Sequence, residues 1–383
     1  MSTIIVLACC CATLPALLWV WNMLIYREPG VPSCGNTGEC LLAEGVSVLI
    51  PARNEERVIG ASLESLLASR GIAVDIVVLD DGSTDRTAEI VREIASRDSR
   101  VRLLSSPPLP GGWNGKQHAC YALSKAAQSS VLCFLDADVR LAPEALASMS
   151  TFLASTGSDL VSGFPRQETE TALEWLLLPL IQFVLLSYLP LAGMRAFRSP
   201  GFGAGCGQFL MVRRDAYRKT GGHAEIRATM HDGLLLPQLF RKHGLRTDVA
   251  DLTHLATCRM YRSASEVWRG LSKNATEGMA APARILPFTF LLLFGQVVPL
   301  LLALWLAAAP ASFSPHERSL IFVSVTASFV PRLFSVWKYR QPLMSAVLHP
   351  VGVILLLVLE WHALLRKLGG HQVTWKERAY RIG

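Results

Sequence analysis

Residues 46–56 read VSVLIPARNEE, a short apolar run that is followed at once by a polar cluster. β-Branched residues in such a run predict a strand at Val46–Ile50, and the residues from Glu55 to Ser69 have the pattern of a helix. The same strand–helix order recurs at residues 75–96 and 131–153. This alternation predicts an α/β domain with a parallel, doubly wound sheet and helices on both faces.

A polar cluster follows each of these three strands, at Pro51–Glu56, Asp80–Ser83 and Asp136–Asp138. The carboxyl ends of parallel strands share one edge of a sheet, which is where ligands of such folds bind. Taken singly, each cluster is explained as well by a strand end, a helix cap or a turn. Together they place several carboxylates at one edge, where they repel unless a cation or a hydrogen-bonding ligand holds them.

The spacing of Asp136 and Asp138 adds a chemical argument. Two carboxylates separated by one residue supply hard oxygen ligands to a divalent metal such as Mg²⁺ or Mn²⁺, and phosphate oxygens can complete its octahedron. The edge of the sheet is therefore predicted to bind a metal-bound nucleotide diphosphate. Lys116, after the paired glycines 111 and 112, is predicted to reach the diphosphate as a point charge, although an exposed loop lysine is the simpler alternative.

The composition indicates a membrane protein. Of 383 residues 51% are hydrophobic and only 17% are charged, and the net charge of +7 favours anionic partners such as lipid or phosphate. The basic residues form no dense stripe with interleaved aromatic residues, which argues against nucleic-acid binding. The cysteine pattern implies no disulfide framework.

Four apolar stretches are long enough to cross, or nearly cross, a lipid bilayer. They predict an anchor at residues 3–26, a catalytic domain at 45–284, a C-terminal membrane region at 285–365 with two to three spans, and a basic tail at 366–383. Pro331 and Arg332 interrupt the middle of the late stretches. Three full late spans would place the basic tail outside, so either the stretch around Pro331 is re-entrant or the charge rule fails.

Flanking charge predicts the orientation. Arg27 follows the first apolar stretch and no basic residue precedes it. By the positive-inside rule the domain that follows lies in the cytoplasm of a multi-pass inner-membrane protein. Within that domain, the apolar segment at 171–196 contains Pro179 and Pro190, and it is equally well interpreted as an interfacial segment or as a buried helix pair.

The motifs resemble, in order, those of family 2 glycosyltransferases with the GT-A fold. The resemblance covers roughly residues 46–274 and rests on the three clusters already quoted, the Gly111–Lys116 segment and His231-Asp232. With the region of Arg259 and the spans that follow it, the chain is similar to membrane enzymes that glycosylate lipids, such as ceramide glucosyltransferases and carotenoid- or hopanoid-associated glycosyltransferases. The resemblance implies inverting transfer of one sugar from a UDP-sugar to a membrane lipid acceptor.

The resemblance also implies roles for individual residues. It places the nucleoside and its ribose among one set of side chains and a divalent metal, Mg²⁺ or Mn²⁺, at Asp138. The nucleotide-sugar set comprises Ala52, Asn54, Glu56, Asp80, Asp81 and Asp136, joined by Lys116. The sugar or acceptor loop is assigned to Gly205, Gly207, Gln208, Arg259 and Arg262.

The catalytic base is assigned to Asp232 by the same resemblance, and His231 stands where the family usually has Glu. Asp has a reference pKa of about 3.9, so burial has to raise the pKa before Asp232 works well as a base near neutral pH. His231, with a reference pKa of about 6.5, is the rival base. An acceptor that is already a carboxylate needs no strong base, and the sequence leaves hydroxyl and carboxylate acceptors open.

Two other functions remain as alternatives. A polyprenyl-phosphate acceptor within the same class would make Asp232 dispensable. A non-catalytic nucleotide-sugar-binding subunit of a membrane export complex would be expected to lack Asp138 or Asp232, and both are present.

Overall fold

The computed structural model describes residues 1–30, 45–371, 373–375 and 378–380. The predicted basic tail at 366–383 therefore lies partly outside the described residues. The chain divides into two compact units. A helical unit comprises Met1–Ile25, Thr169–Ala192 and Tyr261–His371, and an α/β unit comprises Tyr26–Glu168, Gly193–Met260 and Gln372–Gly383.

The elements are numbered along the chain. The helices are α1 Ser2–Ile25, α2 Ile59–Leu67, α3 Thr87–Arg97, α4 Gly115–Ala126, α5 Ala145–Ser155, α6 Ala172–Tyr188, α7 Leu191–Ala196, α8 Arg214–Thr220, α9 Asp232–Lys242, α10 Ala264–Ala275, α11 Ile285–Leu292, α12 Val298–Ala308, α13 Pro315–Lys338, α14 Leu343–Val347 and α15 His349–Leu368. The strands are β1 Val46–Ala52, β2 Val74–Asp80, β3 Val101–Ser105, β4 Val131–Leu135, β5 Val139–Leu141, β6 Leu160–Gln167, β7 Phe209–Arg213, β8 Thr247–Cys258, and an antiparallel pair, β9 Val373–Trp375 and β10 Arg378–Tyr380.

The α/β unit contains an eight-stranded sheet in the order β3-β2-β1-β4-β7-β6-β8-β5. Strands β3, β2, β1 and β4 are parallel. Alternate residues of β1 pack on opposite faces, with Val48 in the same core as Leu63 of α2, and Leu49 in the same core as Leu123 of α4. Because both faces of the strand are buried, its sequence is a continuous apolar run. The predicted α/β sheet with helices on both faces is confirmed.

The second half of the sheet is mixed, whereas the sequence predicted a parallel sheet throughout. Strand β7 is antiparallel to both β4 and β6, and β5 is antiparallel to β8. The direction of β7 is determined by the edge at which the chain re-enters the sheet. Phe209, the first residue of β7, pairs with Leu135, the last residue of β4. Strand β7 thus starts at the edge where the parallel strands end, and Gln208 lies beside the polar cluster that follows β4.

The helical unit contains three helices, among those described, that are long and apolar enough to cross a membrane: Ser2–Ile25, Ile285–Ala308 and Pro315–Lys338. The second consists of α11 and α12 joined by a π-helical turn. Pro331 lies inside the continuous helix α13. The last predicted stretch is divided at Leu348 into α14 and α15.

Helix α6, within the segment considered for interfacial docking, lies in the helical unit. Its Leu177, Leu180 and Phe183 belong to an apolar core that also contains Val353 and Leu356 of α15. This packing is that of a buried helix. Docking of the segment on lipid remains a prediction.

The side chain of Asn22 in α1 forms hydrogen bonds with the backbone at the C-terminal end of α6. Its side-chain amide donates to the backbone carbonyls of Leu186 and Leu189, at 2.8 and 2.7 Å, and its Oδ1 accepts from the backbone N–H of Leu191 at 3.1 Å. Asn22 is fully buried. The final carbonyls of a helix have no partner within the helix, so a side chain from another helix satisfies them here.

We predict that Asn22→Leu destabilises the protein by about 2–3 kcal/mol, because it leaves buried backbone groups unpaired. Thermal unfolding of the purified protein in detergent checks this. Leu24→Ala, at a side chain with 77% exposure on the same helix, is the control and should change the midpoint little. An equal midpoint for Asn22→Leu and the wild type would contradict the role.

Candidate active site

The loops that follow β1 and β2 are bound to each other. Asn54 has a positive φ of 53°. Its backbone N–H donates to Ser83 Oγ at 3.0 Å, and its Oδ1 accepts from the backbone N–H of Thr84 at 2.8 Å. Asn tolerates this left-handed conformation better than most residues. The two predicted clusters therefore form one structural element at the carboxyl edge of the sheet.

Glu56 and Ala52 join the same pair of loops. Glu56 accepts from the backbone N–H of Arg86 at 3.1 Å, and the carbonyl of Ala52 accepts from the backbone N–H of Asp81 at 2.8 Å. Asp81 is buried, and Asp80 Oδ1 accepts from the backbone N–H of Ser83 at 3.3 Å. The structure thus brings together all five residues that the resemblance assigns to these loops. Their roles toward a nucleoside stay predictions.

Lys116 is the centre of the second group. Its ammonium nitrogen lies 2.7 Å from Asp136 Oδ1, 3.0 Å from Asp232 Oδ2 and 3.5 Å from the carbonyl of Gly207. These partners come from the end of β4, the start of α9 and the glycine-rich loop before β7. Three residues proposed from separate parts of the sequence therefore lie within hydrogen-bonding distance of the side-chain nitrogen of a fourth, Lys116.

Local structure fixes the position of Lys116. Asn114 is the N-cap of α4, and its Oδ1 accepts from the backbone N–H of Lys116 at 2.9 Å. The backbone N–H of Asn114 donates to the carbonyl of Arg227 at 2.6 Å, which ties this turn to the segment that leads to Asp232. Gly112 has a φ of +79°, which requires a glycine in the turn before the cap.

Asp232 is the first residue of α9 and is buried. A methyl group added to Gly207 would lie 2.3 Å from Asp232 Oδ1, and one added to Gly205 would lie 2.7 Å from Ser162 Cβ. The glycines of this loop are thus needed for close packing around Asp232. The sequence assigned these glycines to a sugar or acceptor loop, and the structure shows their backbone packed against protein atoms.

Neighbouring charges determine the protonation states of Lys116 and Asp232. Burial alone would lower the pKa of Lys116, but Asp136 and Asp232 raise it well above its usual value. Burial alone would raise the pKa of Asp232, but Lys116 and then His223 lower it. Asp232 is therefore ionised near neutral pH. The sequence had required burial to raise this pKa, and the direction is the reverse because the ammonium group lies 3.0 Å away.

Asp138 has a different environment. Burial, followed by the charges of Asp136 and Glu55, raises the pKa of its carboxyl group to about 7. Its Oδ1 is buried and has no hydrogen-bond partner among the described residues. No group of three or more His, Cys, Asp or Glu residues that could hold a metal ion is present in that part of the chain. A buried, unpaired carboxylate oxygen beside other acids suits a hard cation whose remaining ligands come from a bound diphosphate.

The remaining predicted residues are placed as follows. Gln208 is buried, and its side chain donates to Cys258 Sγ at 2.8 Å. His231 directly precedes α9. Arg259 follows β8 in the α/β unit, whereas Arg262 is exposed in the helical unit, where its backbone N–H donates to Glu266 at 2.8 Å.

Two residues of this region were missed in the sequence. Cys258, the last residue of β8, is fully buried, and its Sγ lies 2.8 Å from Gln208 Nε2. His223 is fully buried with Nδ1 2.8 Å from the Tyr217 hydroxyl, and burial lowers its pKa to about 4, so it is neutral at neutral pH. Neither residue belongs to a motif. A cysteine ending an apolar strand and a histidine after two glycines carry no signal that separates them from packing residues.

Comparison with known proteins finds a related family and related sequences. Residues 47–221 match the family described as Glycosyl transferase family 2. The chain is 26% identical over 352 residues to the 4,4'-diaponeurosporenoate glycosyltransferase of Staphylococcus aureus strain USA300, a match that covers 88% of this chain and 89% of the relative. The protein of strain MRSA252 matches with the same identity and coverage.

Among solved structures, the chain is similar to a mannosyltransferase of Pyrobaculum calidifontis in complex with GDP-Man and Mn²⁺. The TM-score is 0.53 at 18% identity, and the match covers 93% of this chain and 98% of that one. This likeness shows the fold, and it confirms the GT-A fold that the motifs predicted.

We predict that Lys116→Met destabilises the protein by about 3 kcal/mol near neutral pH, since it removes the cation between two partly buried carboxylates. The pKa of Asp232 is lowered in the folded state, so the stabilisation from its ionised form is present above about pH 4, its unfolded value, and is lost as the pH falls further. The difference in unfolding free energy between Lys116→Met and the wild type should therefore shrink as the pH falls below about 4. Urea unfolding in detergent micelles at several pH values measures it.

Lys125→Met is the matched control, because Lys125 lies on the same helix and is exposed. It should cost less than about 1 kcal/mol. A loss for Lys116→Met that stays constant down to pH 3 would contradict the assigned ion pairs.

Proposed function

We propose that this chain, whose residues 47–221 match the family 2 glycosyltransferases, transfers one sugar, with inversion, from a UDP-sugar to a membrane lipid acceptor. The observation that carries the proposal is the Lys116 ammonium group, which lies between Asp136 and Asp232 at the edge of the sheet. A site that gathers one cation, several carboxylates and an unpaired Asp138 oxygen suits a diphosphate with its metal. A site for a purely apolar ligand would have no comparable use for an ammonium group surrounded by carboxylates.

The donor side is proposed for the joined loops after β1 and β2. Ala52, Asn54, Glu56, Asp80 and Asp81 hold the nucleoside in this proposal, and Asp136 holds its ribose. The hydrogen bonds between the two loops support it, because they order the backbone before any ligand arrives. Lys116 is close enough to Asp136 to reach a diphosphate attached to that ribose.

Asp138 would hold a divalent cation, Mg²⁺ or Mn²⁺. When bound, such an ion neutralises charge that develops on the departing diphosphate. Lys116 adds a fixed positive charge on the same side, and its raised pKa keeps it protonated through neutral pH. The chain itself therefore supplies part of the stabilisation of the leaving group.

The lowered pKa of Asp232 bears on the acceptor. Paired with Lys116, Asp232 is ionised but is a weak base. A hydroxyl acceptor has to lose its proton as it attacks, whereas a carboxylate arrives already ionised. We therefore favour an apolar lipid that ends in a carboxylate, which accords with the acid named for the Staphylococcus aureus relative.

The transfer is then one displacement. A carboxylate oxygen of the acceptor forms a bond to the anomeric carbon on the face opposite UDP, the bond from that carbon to the UDP oxygen breaks, and UDP leaves with both electrons. Asp232 holds Lys116 toward the diphosphate during this step. With a hydroxyl acceptor Asp232, or its neighbour His231, would also have to accept the proton.

A membrane orientation follows from the helical unit. Ser2 Oγ donates to Glu317 at 2.9 Å near the starts of α1 and α13, and Trp19 packs on Phe334 near their ends, with ring centroids 5.5 Å apart. Helices α1 and α13 therefore run in the same direction. With the intervening span Ile285–Ala308 they make three crossings.

Three crossings put the residues after α1 and after α13 on the same side of the membrane. Arg27 follows α1, and Lys338 and Arg340 lie at the end of α13. We propose that this side is the cytoplasm of a cell with this protein in its inner membrane. We also propose that α15, which is not among the three candidate spans, does not cross, so that Arg366 and the residues after it are cytoplasmic and the conflict with the charge rule is removed.

We predict that Asp138→Ala abolishes sugar transfer and also removes the metal-dependent part of UDP binding. Labelled UDP-sugars, incubated with membranes that contain the protein and followed by lipid extraction, measure the first, and equilibrium binding of UDP with and without Mn²⁺ measures the second. Glu144→Ala, an exchange in the turn before α5, is a control at a carboxylate outside the Lys116 group. Full transfer by Asp138→Ala would refute the assigned role.

We predict that the effect of Asp232→Asn depends on the acceptor. With a lipid alcohol the loss of a proton acceptor should reduce the rate more than about 100-fold. With the matching lipid carboxylate, the loss should be less than about tenfold, because no proton has to be removed. Wild-type protein that uses the alcohol and not the acid would contradict the proposed acceptor class.

We predict that green fluorescent protein fused after Gly383 is fluorescent in cells, since it folds in the cytoplasm and not after export through the general secretion route. Alkaline phosphatase inserted between Ala311 and Ser312 should be active, because that turn lies outside. The reverse pair of results would overturn the orientation.

A further inference from the structure

An open cleft lies at the end of the sheet that is formed by β6, β8 and β5. Its volume is about 400 Å³, and its lining includes Arg140, Arg166, Glu168, His254 and Thr257. Glu168 is the only acid among the residues that line it. Two guanidinium groups therefore accompany one carboxylate, and the lining carries a net positive charge.

Strand register brings the two arginines together. Thr257 of β8 pairs with Arg140 of β5 on one side and with Arg166 of β6 on the other. Residues that are paired in this way place their side chains on the same face of a sheet, and successive residues along a strand alternate between faces. Gln167, whose side chain donates to Gln208, therefore belongs to the opposite face from Arg166. The arginine pair is thus separate from the Gln208 side of the sheet.

Arg166 has hydrogen-bonding capacity that the protein leaves unused. Its Nε is buried and has no hydrogen-bond partner among the described residues. Its Nη2 lies 3.7 Å from Glu168 Oε1, beyond hydrogen-bonding distance, whereas Arg140 Nη2 donates to the other oxygen of that carboxylate. An anion that accepts from Arg166 would relieve the cost of the unpaired donor, and a guanidinium group matches the geometry of phosphate oxygens.

The chain enters the α/β unit beside this cleft. The backbone N–H of Asp251 in β8 donates to the carbonyl of Arg27 at 2.9 Å. Further along the same strand, Nδ1 of His254, which lines the cleft, lies 3.6 Å from Glu28 Oε1. The residues that directly follow α1 are therefore bound to the strand that forms the floor of the cleft.

This connection places the cleft close to the bilayer. Helix α1 is long and apolar enough to cross a membrane, and it ends at Ile25. Three residues of extended chain span at most about 10 Å, so Glu28 stays within that distance of the end of α1. The lipid headgroups extend about 5–7 Å beyond the hydrocarbon layer. The position favours a lipid headgroup over a free phosphate as the source of the anion.

We propose that this cleft binds the phosphate group of an anionic phospholipid of the surrounding membrane, with Arg166 and Arg140 as the residues that hold it. Both guanidinium groups donate to phosphate oxygens, and Thr257 between them adds a hydroxyl donor. The bound lipid holds the outer strands of the α/β unit at the membrane surface. The inference does not depend on sugar transfer and uses no residue of the Lys116 group.

The experiment is native mass spectrometry of the full chain in a neutral detergent, titrated with phosphatidylglycerol, which gives the dissociation constant of the tightest bound lipid. Arg166→Gln should weaken phosphatidylglycerol binding about tenfold, as expected for loss of a hydrogen bond between charged groups. Phosphatidylcholine has the same phosphate but no net charge, and it should bind the wild type about fivefold more weakly.

Glu168→Gln tests the same site with the opposite sign. It removes the carboxylate that competes with the lipid phosphate for the two guanidinium groups, so phosphatidylglycerol should bind about threefold more tightly or better. Arginines that serve only to hold Glu168 would give no such gain. Unchanged or weaker binding by Glu168→Gln would therefore contradict the assignment.

Arg100→Gln is the matched control. Arg100 is also a partly exposed arginine paired with an acid, Asp98 at 2.7 Å, and it directly precedes β3 at the opposite end of the sheet. The exchange removes the same charge and should leave lipid affinity within about twofold of the wild type. Wild-type phosphatidylglycerol affinity in Arg166→Gln would overturn the site, and so would an equal loss in Arg100→Gln.

Calorimetric titration of the same protein with inorganic phosphate separates the two sources of the anion. We expect no saturable phosphate binding that depends on Arg166, because the lipid is held at the bilayer surface and the free ion is not. Saturable phosphate binding that Arg166→Gln removes, together with equal affinities for phosphatidylglycerol and phosphatidylcholine, would overturn the lipid as the occupant.

Discussion

The ammonium group of Lys116 is shared by Asp136 and Asp232, and the arrangement of the α/β unit depends on this interaction. Three segments far apart in the sequence have to meet for it to form, and each is fixed by its own local device: the Asn114 cap, the end of β4 and the start of α9. Without the cation, two carboxylates at this edge would repel each other and raise the cost of burial. The same charge suits the site to a diphosphate, so stability and function draw on one group.

The sequence was sufficient for the parts that depend on local pattern. The strands at Val46–Ile50 and Val131–Leu135 and the polar clusters after them follow from residue type and spacing, and the structure has both strands. The partners of Lys116 could not be predicted in the same way. They depend on tertiary pairing, as does the reversed direction of β7, which is set by where the chain re-enters the sheet.

Protonation was the property that sequence reasoning handled least well. Burial alone would raise the pKa of Asp232, which is the direction expected for an isolated buried carboxyl group, but the Lys116 ammonium group reverses it. Burial, followed by the charges of Asp136 and Glu55, raises the pKa of Asp138 to about 7. Asp138 and Asp232 thus differ in protonation because their neighbours differ, and the sequence alone does not identify those neighbours. These protonation states suit separate roles, with Asp138 holding a cation and Asp232 pairing with Lys116.

The helical unit applies the same rule in an apolar setting. Arg332 is fully buried, and it donates to Gln341 at 3.0 Å and to Ser345 Oγ at 3.1 Å, while Gln296 accepts from Ser328 at 3.1 Å. Buried polar groups are costly unless they are paired, so these contacts fix how the helices pack.

The central claim, a diphosphate held at Lys116, is tested most directly by an experimental structure of the full chain with UDP and Mn²⁺. The account predicts density for Mn²⁺ at Asp138 and for the diphosphate within hydrogen-bonding distance of Lys116, whereas a nucleotide bound away from both residues would contradict it.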